Sequence, residues 1–104
     1  MTTIDNIKQR NAAAGLNFFS PGAMRFFASR VCSQTFDLVD GGALFVTSEQ
    51  FRTWNHRGPR RYTIKRFLPL TADIDTVGEF QAFKDRRSAL RAAQALATAW
   101  QGEA

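Results

Sequence analysis

The chain has 104 residues and a formal charge of +5, which gives room for a single domain, residues 1–104, around one core. Its lone cysteine, Cys32, excludes an internal disulfide and a cysteine-built zinc site, and no apolar stretch approaches the roughly 20 residues that cross a bilayer. Ten Phe and two Trp make aromatic packing the expected main source of stability, and the positive charge makes polyanions the expected attraction.

Met1 to Ala14 is polar and is interrupted by Asp5, Lys8 and Arg10, so it does not read as a signal peptide and the expected compartment is the cytoplasm. Thr3 can cap a first helix with Ile4 and Ile7 on one side, Asp5 in its first turn and Gly15 to end it. A stronger start lies at Ser20-Pro21, a cap followed by proline at the first helical position. Ala23, Met24, Phe26, Phe27 and Val31 follow at three- and four-residue spacings, which predicts a second helix with a buried apolar face.

From Ser33 the period becomes two, with Gln34, Phe36 and Leu38 alternating against Thr35, Asp37 and Val39. Asp40-Gly41-Gly42 then supplies a tight hairpin, and Ala43 to Ser48 the returning strand. Glu49 to Pro59, polar and containing Gly58 and Pro59, reads as an exposed loop. Arg61 to Leu68 reads as a third strand, Tyr62, Ile64, Arg66 and Leu68 facing one way and Arg61, Thr63, Lys65 and Phe67 the other. Ile74 to Phe80 reads as a fourth, carrying Asp75 and Glu79, acids that could neutralise Arg61 and Lys65 across the ladder. Asp85 caps the last helix, whose apolar stripe is Ala89, Leu90, Ala93, Leu96, Ala97 and Trp100, with Arg87, Arg91, Gln94, Thr98 and Gln101 on a polar ridge. The expectation is an α+β fold: two N-terminal helices, a four-stranded antiparallel sheet and an amphipathic C-terminal helix on one sheet face.

Catalytic apparatus is not legible. His56 is the one imidazole and has no local nucleophile or orienting carboxylate. Asp73 and Asp75 share a strand face, yet acids beside a proline-containing turn are ordinary turn chemistry, and Gly41-Gly42 lacks the Lys-Ser/Thr of a phosphate loop. The expectation is a non-enzymatic protein with no cofactor and no metal. Phe51 to Phe67 stands out instead, with six Arg or Lys, no acid and four aromatic rings. Arg52, Trp54, Arg57, Arg60, Arg61, Lys65 and Arg66, joined by Arg87 and Arg91 of the last helix, are the candidate binding residues, suited to phosphates, bases or an acidic protein surface. Trp54, between Thr53 and Asn55, has the composition of an interaction hot spot.

Two resemblances bear on partners. Arg61 to Trp100, with Tyr-Thr-Ile-Lys-Arg-Phe, an acidic turn, Asp-Thr-Val-Gly-Glu-Phe and an alanine-rich helix, loosely resembles the strand and helix ending of the arm-type DNA-binding domains of phage integrases. Asn17 to Pro21, Met24 to Val31 and Asp75 to Phe80 look like segments of small accessory proteins of bacterial phages, plasmids and integrative elements. That resemblance implies an anti-defence role of the anti-CRISPR kind, in which the protein blocks a host nucleic-acid-processing protein or ribonucleoprotein complex. Direct binding of DNA or RNA through the basic strand and loop is the alternative.

Overall fold

The computed structural model describes residues 2–53 and 55–102, with positions 52, 53, 101 and 102 described by their backbone alone. Its elements run α1 (Ile4–Ala13), α2 (Pro21–Phe26), β1 (Arg30–Asp37), β2 (Ala43–Thr53), β3 (His56–Phe67), β4 (Ile74–Val77) and α3 (Arg86–Gly102). The local signals that start α1 and α3 act as expected. The Thr3 hydroxyl accepts from Asn6 N at 3.2 Å while the Asn6 side chain accepts from Thr3 N at 3.4 Å, a reciprocal cap. At α3, Ser88 N donates to Asp85 Oδ1 at 2.8 Å and the Ser88 hydroxyl to Oδ2 at 3.1 Å. These bonds, the backbone one foremost, hold the Asp85 carboxyl below its usual range.

The four strands form an antiparallel meander in the order β1-β2-β3-β4. The turn from β1 to β2 uses Gly41 at φ +90°, and a Cβ on Gly42 would collide with the Phe67 carbonyl oxygen, so both glycines are demanded by geometry. Alternation along β2 and β3 sends Leu44, Val46 and Ile64 to one face, where they meet Ala89, Ala93 and Ala97 of α3. Phe45 and Phe67 go to the other, where they meet Ile7 of α1, Ala43 and Ala72. The result is three layers, with α3 on one side of the sheet and the N-terminal segment on the other. Buried Asn11 ties α1 down by donating to the Ala72 carbonyl at 2.8 Å. Among the described residues no helix is long and apolar enough to cross a membrane.

Three expectations need correction. The second helix stops at Phe26 instead of running on to Val31, and its apolar side is only partly covered: Met24 and Phe27 are half-buried, but Phe26 is 78 % exposed. Ala28 turns the chain through φ +48°, and the sheet holds it there: Gln50 N donates to the Phe27 carbonyl at 2.8 Å and Arg60 to the Ala28 carbonyl at 3.0 Å. The segment Glu49 to Pro59 is no loop. β2 and β3 continue to Thr53 and His56 as a long hairpin, with a register shift between Gln50 and Arg52, an irregularity that lets Gly58 and Pro59 sit within a ladder. The fourth strand ends at Val77, where Gly78 takes φ +76°.

Candidate functional site

Arginines collect at the free end of the β2–β3 hairpin and along the β1 edge. Arg25 of α2, Arg30 of β1 and Arg57 and Arg60 of β3 line a cleft of about 340 Å³ with Gln50 and Ser29. Arg86, Arg87 and Arg91 of α3 line a second groove, of about 470 Å³, with Gln34, Phe36 and Gln94. β1 joins the two: Arg30 belongs to the first and Gln34 to the second, and Cys32 between them packs in the α3 core. Burial pushes the Cys32 thiol pKa up, and the nearby Arg86 opposes it. No carboxylate lines either cleft among the described residues. Among the described residues the exposed acids are Asp5 on α1, Asp40 at the β1–β2 turn, Asp73, Asp75 and Glu79 on or beside β4, and Asp85 at the α3 cap, where the charges of Arg87 and Arg91 reach it.

The residues singled out from sequence therefore divide. Arg57, Arg60, Arg87 and Arg91 fall in this arginine band, together with Arg25, Arg30 and Arg86, which strand and helix patterning did not mark as binding residues. Arg60 is also structural, since its guanidinium donates to the Ser48 hydroxyl at 2.9 Å. Arg61 is half-buried and lies opposite Glu49 in the ladder. Arg66 is tied up, paired with Asp40 at 3.0 Å and stacked 5.1 Å over the Trp100 ring. Asp75 and Glu79 are not the ladder partners of Arg61 and Lys65 as expected: Arg61 faces Glu49 and Lys65 faces Thr76, while Asp75 lies opposite Arg66, which pairs instead with Asp40. Arg52 is described only by its backbone, which pairs with Arg57, and Trp54 lies outside the described residues. Asp73 closes its own turn by accepting from Ile74 N at 2.8 Å, and no group of three metal-ligating side chains occurs among the described residues.

Lys65 departs most from expectation. The strand pattern puts it on a basic face open to partners, but it is buried, with the Phe18 and Phe80 rings each centred 5.6 Å from its Nζ. Its Nζ donates to the Thr76 hydroxyl at 2.7 Å. Burial pushes the ammonium below the usual lysine range, with the Glu49 carboxylate opposing. Glu49, 3 % exposed, is the residue that sequence reasoning missed by assigning it to a loop. Its Oε1 accepts from the Thr47 hydroxyl at 2.6 Å and its Oε2 from the Thr63 hydroxyl at 3.1 Å, while Thr63 accepts in turn from Gln81 N at 2.8 Å. Gln81 reaches this position at φ +59° and donates its amide to the Glu49 carbonyl at 3.3 Å. Glu49, Lys65 and Thr47 form the floor of a hollow of about 310 Å³ walled by Phe18, Phe27, Phe80 and Met24. The one available signal was period-two alternation, which puts Thr47, Glu49, Thr63 and Lys65 on one face of adjacent strands.

Residues 3–94 match a family of unknown function, DUF7447. No curated protein and no solved structure matches the chain.

Proposed function

The chain belongs to the DUF7447 family, whose function is unknown, and we propose that it is a non-enzymatic nucleic-acid-binding domain that grips phosphates along its arginine band. What supports the reading is the clustering of charge: Arg25, Arg30, Arg57, Arg60, Arg86, Arg87 and Arg91 line two clefts joined by one strand, and among the described residues no carboxylate lines either cleft, although Asp85 at the α3 cap feels the charge of Arg87 and Arg91. Guanidinium forks pair with phosphate oxygens bidentately, and such a band attracts a polyanion from a distance. The test is fluorescence anisotropy with a labelled oligo-dT across a salt series. Affinity should fall steeply as salt rises, and Arg30→Glu or Arg87→Glu should flatten the plot by about 0.7 in log–log slope per lost phosphate contact. Absence of binding at low salt would overturn the reading.

A specific observation favours a second reading, in which the partner is a host nucleic-acid-processing protein or ribonucleoprotein that the domain blocks. Phe26 and Phe51, 78 % and 56 % exposed, both rest on Phe27, at ring separations of 4.6 and 5.1 Å, and form an open aromatic surface beside the arginines. Aromatic anchors next to arginine are typical of protein-docking hot spots. A bacterial partner captured by the wild type after nuclease treatment, and lost with Phe26→Ser and Phe51→Ser together, would support this reading over the first.

A further inference from the structure

We infer that the hollow over Glu49 and Lys65 is a nucleobase pocket, and that the base it takes is guanine, from an unpaired strand or a free nucleotide. The inference builds on the phosphate-binding reading but rests on a different set of residues. A volume of about 310 Å³ is at the small end of ligand sites, which span roughly 300–1,000 Å³, and suits one ring system. Its walls are flat and apolar, and aromatic rings of this kind hold a base by its faces.

The floor supplies one edge of hydrogen-bonding groups. An ionised carboxylate only accepts and an ammonium only donates. Among the described residues each Glu49 oxygen accepts from a single threonine hydroxyl and keeps a lone pair, and Lys65 Nζ spends one of its three protons, on Thr76. The lining therefore presents two adjacent carboxylate acceptors and, from the neighbouring strand, an ammonium donor. Guanine is the common base whose pairing edge offers two adjacent N–H donors, at N1 and N2, next to a carbonyl acceptor at O6. Adenine, cytosine and uracil each present a single donor position there. Stability gives no reason of its own for burying these two charges, since removing each from water is costly and, among the described residues, no direct ion pair joins them. The arginine cleft shares Met24 and Ser29 with the hollow as a common wall, so the phosphate of a seated nucleotide would lie toward Arg25 and Arg30.

Two-dimensional NMR of the wild-type protein tests the pocket with guanosine, which carries no phosphate and so does not depend on the arginine band. Guanosine should shift the amides of Thr47, Glu49, Thr63 and Gln81, and adenosine, cytidine and uridine should not. Equal response to all four, or none to guanosine, overturns the inference. Glu49→Gln replaces one acceptor by a donor and Lys65→Met removes the donor to O6; each should weaken guanosine binding about tenfold or more, with thermal melts confirming a folded protein. If neither folded variant weakens it, guanine is not held by this edge. A comparison of oligo-dT with the same strand carrying one central dG, and with GMP, separates the sources. A dG strand that binds about tenfold tighter than oligo-dT supports a strand base, and GMP that competes fully with it supports the free nucleotide. Should oligo-dT bind while guanosine does not, the phosphate reading stands and the pocket reading falls; the reverse result removes the first and keeps the second.

Discussion

On one side of the sheet, Leu44, Val46 and Ile64 meet a 17-residue helix whose contact stripe is three buried alanines, Ala89, Ala93 and Ala97. On the other side, Phe45 and Phe67 meet the 10-residue α1 together with Phe18 and Phe19 of the segment that follows it, and the six-residue α2 lies beyond them in the chain. Small residues let a helix lie close along its whole length, and close-packed interiors leave no room for a ligand. Large rings on short helices cover a sheet unevenly. The uneven side is where the hollow lies, and it is there that a carboxylate and an ammonium sit buried together. The difference shows how one sheet combines a closely packed face with a face that leaves a hollow, a division set by side-chain size more than by hydrophobicity.

Substitutions can break that contrast. The largest effect should come from Phe45→Ala, which removes a fully buried ring from the aromatic face and should cost about 3–5 kcal/mol in urea unfolding. Next, enlarging the tight face should hurt more than reshaping the loose one. Ala93→Leu, at a site with no exposure, should cost about 1–3 kcal/mol, and Met24→Leu, on the wall of the hollow, less than about 1.5 kcal/mol. Equal costs would show that the two faces are packed alike.

Two smaller effects concern charge. Lys65 has a folded-state pKa depressed by burial, so between that value and its ordinary 10.5 the unfolded chain binds more protons. Stability should therefore rise with pH through this window, and Lys65→Met should remove that part of the rise in denaturation curves measured from pH 7 to 10. Asp40 is the opposite case. The Gly42 N–H, and then Arg66, hold its carboxyl below the ordinary range, so its contribution is present above the usual carboxylate pKa and lost as pH falls through the folded value. Asp40→Asn should make the acid limb of the stability profile slightly shallower. It is the smallest of the four effects because the Asp40 side chain is 43 % exposed and its pair with Arg66 is screened by solvent.

The elements that could be read from sequence were those set by local chemistry. Asp85 as a cap, the alanine stripe of α3 and the Asp40-Gly41-Gly42 turn each depend on residues within a few positions of one another, and each stands where the pattern put it. What sequence hid was decided at long range. Nothing in Phe26-Phe27-Ala28 announces the end of a helix; contacts from Gln50 and Arg60, more than 20 positions away, impose it. Glu49 to Pro59 looked like a loop because its alternation is polar and carries Gly58 and Pro59, and pairing within one long hairpin overrode that composition. The candidate site divided in the same way. The arginine band was legible as charge, in Arg57, Arg60, Arg87 and Arg91, whereas Lys65 was placed on the right strand face but given to solvent, because the rings that bury it come from Phe18 and Phe80. Glu49 was lost with the loop.

The margins of the sheet carry a further consequence. β4 is four residues long and stops at Gly78, and β1 is irregular between Val31 and Thr35, with Arg30 exposed at its start and Thr2 bonded to Asp37 and Thr35 near its end. A second copy approaching either border would find too short or too crooked a row of amides to extend the ladder. Short and irregular borders of this kind work against edge-to-edge pairing in a chain rich in β-forming phenylalanine.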